Sequence, residues 1–222
     1  AAAVAAGFST LSVGGDSGGS IRIPAALNGL VGMKPTQGLL PKNGVFTGTW
    51  SLDSTGPISR TVSDNAALLS VLSGIPNRDL LDTDMVSNSC QSNPEKLSDV
   101  VIGVPESYFF EGLDQEVEAA VSNAIDVLHG LGAEVHQVDI PSAVYSVEVG
   151  AVISWSEYSR SQELLFKEHS EQLGADVRSI LETASGYLAR DYLAAQQARS
   201  VIIGEYQSLW DDVDILLTPT TP

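Results

Sequence analysis

Apolar and polar positions alternate with different periods along this chain, and the periods change at punctuating glycines and prolines. Ala1 to Ala6 is uniformly small and apolar and stops at Gly7, which predicts the last turns of a helix with a glycine just past its end. Ile21 to Leu30 predicts a short helix with Pro24 in its first turn and Gly29 or Gly32 as its stop. Gly32 to Gly38 predicts a turn or short strand, and Asn43-Gly44 between Leu39-Leu40 and Val45-Phe46 predicts a hairpin. Ser51 to Pro57 reads as a polar loop. Thr61 to Leu72 carries Val62, Ala66, Leu69 and Leu72 at helical spacing, with Thr61 or Ser63 as the cap.

The second part of the chain has a different rhythm. Val100 to Val104 is an uninterrupted apolar run, the pattern of a parallel strand covered on both faces. Asp114 to Leu131 places Val117, Val121, Ala124, Ile125 and Leu128 on one helical face, and Ala133 to Val138 returns as a strand. A right-handed crossover makes the two strands parallel. Residues 144–170, 175–185 and 188–210 predict helices, and Ile215 to Leu217 one more buried strand. The class is α/β, with a mixed, mostly covered central sheet flanked by helices. One domain is expected over 1–222: a loop-bearing region 1–75, a polar crossing segment 76–98 and a βαβ-plus-helices region 99–222.

Charge sharpens the division. Only three of the 28 acidic residues, but five of the 11 basic ones, fall in residues 1–78, so the net charge of −17 sits in the remainder. That field opposes a phosphate backbone, and no nucleic-acid partner is expected. No apolar run approaches the ~20 residues that span a bilayer. The single cysteine, Cys90, sits in a polar stretch and reads as an ordinary thiol. The expected location is the cytoplasm, and a homodimer is an assembly open to it. With neither initiator Met nor helix cap at its start, and an end just after an apolar strand, the chain reads as a piece cut at both ends.

The chemistry is concentrated in Gly14-Gly15-Asp16-Ser17-Gly18-Gly19-Ser20-Ile21-Arg22-Ile23-Pro24. Four glycines and two serines in seven residues cannot pack a core, but they can hold a hydroxyl and aim several N–H groups at one point. A nucleotide-phosphate loop would need a Lys after the glycines, and none is there. Gly15-Asp16-Ser17-Gly18-Gly19 matches the loop of chymotrypsin-like proteases, with Ser17 as nucleophile. That fold is all-β and needs an earlier His and Asp, and no His precedes Ser17. A third reading makes Ser20 the nucleophile.

The run Gly15 to Ala25 resembles the amidase signature family, whose usual form is G-T-D-x-G-G-S-I-R-x-P-A. The resemblance continues through Gly29 to Thr36, Ser51 to Pro57 and Arg60-Thr61-Val62, resumes at Gly112-Leu113-Asp114 and Leu131 to Val135, and reaches Asp214 to Pro222. It is dense over 1–75 and thin over 140–210. It implies that Ser20 attacks an amide carbonyl to form an acyl-enzyme, with the backbone N–H groups of Ser17, Gly18, Gly19 and Ser20 as the oxyanion hole. Asp16 and Arg22 are expected to brace the loop. The implied base is a Lys relaying through a second Ser in a G-G-S-S-G-G-S-type stretch upstream of Ala1, so the piece alone is expected to be inactive. No cofactor and no metal are implied; the substrate is a small linear amide.

Lys34 belongs to the family's G-x-K-P-T turn and reads as structural. His129, His136 and His169 match no metal-site spacing. Trp155, Tyr158 and Phe166 could line a pocket, although aromatics on helices are more often core. A second reading is the catalytic A-type subunit of a glutamine-dependent glutamyl-tRNA amidotransferase. That protein shares the Ser20 loop but usually carries a Y-D-G-V-R-Y-G-like segment where this chain reads Ser161 to Lys167.

Overall fold

The computed structural model describes residues 1–74, 96–105 and 107–222. Cys90 and most of the expected crossing segment lie outside the described residues. Among the described residues the strands fall into two three-stranded sheets, one antiparallel and one parallel, with helices packed around both.

The first sheet carries the candidate loop. Helix α1 (Ala2–Ala5) ends as expected, with Gly7 at φ +77° and Phe8 N–H returning to the Ala3 carbonyl at 2.8 Å. Strand β1 (Ser12–Asp16) follows, then α2 (Arg22–Leu27), β2 (Val31–Gly32) and β3 (Ser54–Ser59), in the order β1-β3-β2. Ile21, Ala25 and Ile58 form the buried contact between α2 and this sheet, with Leu30 beside them. Helix α3 (Val62–Ser73) is capped by Thr61, whose hydroxyl accepts the Asp64 N–H at 3.1 Å. Buried Asn65 ties α3 to the sheet by donating to the Val31 carbonyl and to Ser59 Oγ.

Two expectations in this region fail. Asn43-Gly44 is a turn with Gly44 at φ +80°, but no strands flank it. Phe46 is 78% exposed, so the flanking residues gain little from pairing. The segment expected as a polar loop instead runs into β3, the central strand of its sheet. Its Ser, Thr, Gly and Pro content resembles a turn, but neighbours on both edges satisfy its backbone and bury it. At Gly56, any Cβ would collide with the Met33 carbonyl oxygen, so close packing demands the glycine.

The second sheet has the order β5-β4-β6, all parallel, with β4 (Val101–Pro105), β5 (Glu134–Val138) and β6 (Ile215–Leu216). Helix α4 (Gln115–Gly130) is the crossover, capped by Asp114. It turns Val117, Val121, Ile125 and Leu128 inward, whereas Ala124 is exposed. Ile102, Val104 and Ala133 form the core of this unit. β6 is less covered than expected, with Ile215 half exposed. The stretch expected as one helix over 144–170 starts as a 3₁₀ turn (Pro141–Tyr145) and breaks at buried Gln162 into α5 (Ser146–Ser161) and α6 (Glu163–His169). Helices α7 (Ala175–Ala184) and α8 (Ala189–Leu209) pack against α5.

Candidate functional site

Asp16, the last residue of β1, organises the glycine-rich loop. It is fully buried. Its Oδ1 accepts the Gly19 N–H at 2.7 Å and Arg22 Nη2 at 2.9 Å; its Oδ2 accepts the Ile21 N–H at 3.2 Å and Arg22 Nε at 2.9 Å. The planar guanidinium matches both carboxylate oxygens at once. Burial by itself would raise the Asp16 pKa, but the Arg22 side chain and the amides of Gly19 and Ile21 outweigh it, and the carboxyl is held below its usual range. The turn that this network closes puts Gly19 at φ +121°, where a Cβ would also lie 2.5 Å from Ile23 Cδ1. Only glycine fits there.

Ser20 follows at the solvent-exposed tip of the loop, directly before Ile21 and α2. Its hydroxyl makes no hydrogen bond among the described residues. The four amides expected as oxyanion donors are not equivalent. The Gly19 N–H is directed into Asp16, while those of Ser17, Gly18 and Ser20 make no hydrogen bond among the described residues. Gly19 therefore holds the loop through its backbone angle and its bond to Asp16.

Ser17 has a different environment. Its hydroxyl donates to Asp53 Oδ1, an oxygen that also accepts from Thr49 Oγ1. Asp53 Oδ2 accepts the Gly48 and Thr49 N–H groups at 2.8 and 2.9 Å. Burial would raise the Asp53 pKa, yet the Ser17 and Thr49 hydroxyls and these amides lower it overall. A carboxylate stabilised in that way is a poor proton acceptor, so Ser17 lies beside an anchor and not beside a base.

Ser17, Gly18 and Ser20 border a cavity of about 600 Å³. The turn at 42–49 forms one wall, and Ser154, Trp155 and Tyr158 of α5 with Val177 and Ile180 of α7 form the other. Trp155 and Tyr158 thus line the cavity, and Phe166 is not on this wall. Between Trp155 and Tyr158 on the same turn of α5, Glu157 is fully buried and holds the loop to the helices. It accepts the Ser51 N–H at 2.9 Å, Ser51 Oγ at 2.5 Å and Tyr192 Oη at 2.9 Å. Arg199 adds a bond to the Ser51 carbonyl at 3.2 Å.

Sequence reasoning did not select Glu157, Asp53, Thr49 or Tyr192. The one available signal was a charged residue four positions after buried Ile153, where the helix period calls for an apolar side chain.

Lys34 Nζ donates to the Pro35 carbonyl at 3.1 Å and does not border the cavity. Burial, and secondarily the charge of Arg22, lower its pKa. His136 pairs with Glu134 at 2.9 Å on the exposed side of β5. Among the described residues no group of His, Cys, Asp and Glu could hold a metal ion. No helix there is long and apolar enough to cross a membrane.

Comparison with known proteins adds a second line of observation. The family model described as Amidase matches residues 1–222. An amidase of Pseudomonas putida is 39% identical over all of this chain and 48% of its own length. The A-type subunit of the glutamyl-tRNA(Gln) amidotransferase of Persephonella marina is 36% identical over all of this chain and 51% of its own. A crystal structure of an amidase superposes with a TM-score of 0.82 at 33% identity, over 96% of this chain and 46% of that one. The chain spans about half the length of the curated relatives it matches.

Proposed function

The chain belongs to the amidase signature family, and on that footing we propose that it carries the nucleophile half of an amidase. The reaction is hydrolysis of a linear carboxylic amide, R-CO-NH2 or R-CO-NHR′, to the carboxylate and ammonia or an amine. One observation supports this above the others: the Ser20 hydroxyl and the amides of Gly18 and Ser20, none of them hydrogen-bonded among the described residues, border the cavity on a turn that Asp16 and Arg22 hold.

In this reading Ser20 Oγ adds to the amide carbonyl, and the carbonyl oxygen gains charge as the tetrahedral intermediate forms. The amides of Ser17, Gly18 and Ser20 stabilise that charge; one such donor is typically worth about 3 kcal/mol of barrier. Collapse releases the amine and leaves an acyl ester on Ser20, which water cleaves. A serine hydroxyl needs a base. The Lys that borders the cavity, Lys42, donates to the carbonyls of Trp50 and Asp53 at 3.1 and 2.9 Å. The family likeness assigns the proton to a Lys acting through a second Ser, neither of which is among the residues around Ser20.

A fluorophosphonate probe tests the reading. Peptide mapping should place the adduct on Ser20 of the intact protein; an adduct on Ser17 would overturn it. The relative from Persephonella marina supports the other reading, a glutamine-dependent amidotransferase. That enzyme would need tRNA, ATP and a partner protein for product, and amide hydrolysis without them excludes it.

A further inference from the structure

We propose that the cavity beside Ser20 accepts a neutral, bulky apolar acyl group, aryl or branched alkyl, and discriminates against amides of zwitterionic amino acids such as glutamine. The proposal rests on the reading of Ser20 as nucleophile and names the substrate class of that site.

Away from the hydroxyls and charged groups near the loop, its walls carry the apolar or aromatic side chains of Val45, Phe46, Trp155, Tyr158, Val177 and Ile180. Phe46 is largely exposed and Val45 half exposed, so this apolar surface is not consumed by the fold's own core. A cavity of about 600 Å³ is within the range that encloses a small organic ligand.

The charged groups on the same walls are Lys42 and Asp53, and both are engaged. Two of the three Lys42 N–H bonds go to the Trp50 and Asp53 carbonyls. Both Asp53 oxygens are taken by four donors from Ser17, Gly48 and Thr49. Glu157, the nearest other carboxylate on α5, is turned into the packing between Ser51 and Tyr192. An α-ammonium group entering the cavity would therefore lose water and gain no carboxylate, a large cost for a charge. A phenyl or isobutyl group loses nothing of the kind and covers the exposed apolar wall.

Calorimetric titration of the intact protein with phenylacetamide and with L-glutamine tests this, in the parent and in a Ser20→Ala background. Phenylacetamide should bind saturably and at least tenfold more tightly than glutamine in both, and Ile180→Arg should weaken it at least tenfold. Equal or tighter glutamine binding, or no saturable phenylacetamide binding to the parent, overturns the proposal. Failure of the nucleophile reading has a separate signature: phenylacetamide still binds, but the fluorophosphonate adduct is not on Ser20.

Discussion

Ser51 and Glu157 are 106 positions apart, yet Ser51 presents both its N–H and its hydroxyl to the Glu157 carboxylate, at 2.9 and 2.5 Å. This bond joins the glycine-loop region to the helices that complete the cavity. It also explains why a carboxylate can be fully buried on α5: three donors, counting Tyr192 Oη, replace its water.

Glu157→Gln keeps the size of the side chain but provides only one acceptor oxygen for three donors. It should destabilise the protein by about 1–3 kcal/mol, the cost of leaving buried donors unpaired. Urea unfolding measures this. An unchanged midpoint would show that the network adds nothing to stability.

Ser20→Ala should abolish fluorophosphonate labelling and amide turnover in the intact protein while leaving the unfolding midpoint in place, since the exposed hydroxyl makes no bond among the described residues. Ser17→Ala should retain labelling and cost about 1 kcal/mol of stability through the lost bond to Asp53. Mass spectrometry of labelled peptides, run beside thermal unfolding, separates the two serines.

Asp16→Asn should cost roughly 3 kcal/mol at pH 7, because it breaks a buried ion pair and turns an amide N–H toward other donors. The sign of the pH dependence follows from the lowered pKa. The unfolded carboxyl titrates near 3.8 and the folded one below it, so the stabilisation is present above that value and is lost as pH falls through the folded pKa. The Tm gap between parent and Asp16→Asn should therefore be wide at pH 7 and shrink below pH 3.8. A gap independent of pH would contradict the ionised pair.

Gly56→Ala should destabilise by about 1–3 kcal/mol or more, since the new methyl meets the Met33 carbonyl across the β2–β3 edge, where backbone cannot yield easily. Circular dichroism during thermal unfolding gives the shift; an unaltered Tm would mean that the sheet relaxes freely there.

Sequence alone determined the elements whose signals are local. Gly7 ends α1, Thr61, one of the two caps the sequence offered, caps α3, α4 follows its apolar period, and the apolar run at Val101 pairs in parallel with β5. It also singled out the loop from Asp16 to Arg22, because glycines that cannot pack a core leave a local trace. Tertiary structure alone decided the rest. Ser54 to Ser59 is a central strand despite its turn-like composition, because partners on both edges bury it. The Gly19 amide belongs to Asp16, Ser17 is tied to Asp53, and Trp155 and Tyr158 face the cavity because Glu157 docks α5 on Ser51. Those relationships join residues as many as 106 positions apart, and no local period or motif can encode which distant donor a buried carboxylate will meet.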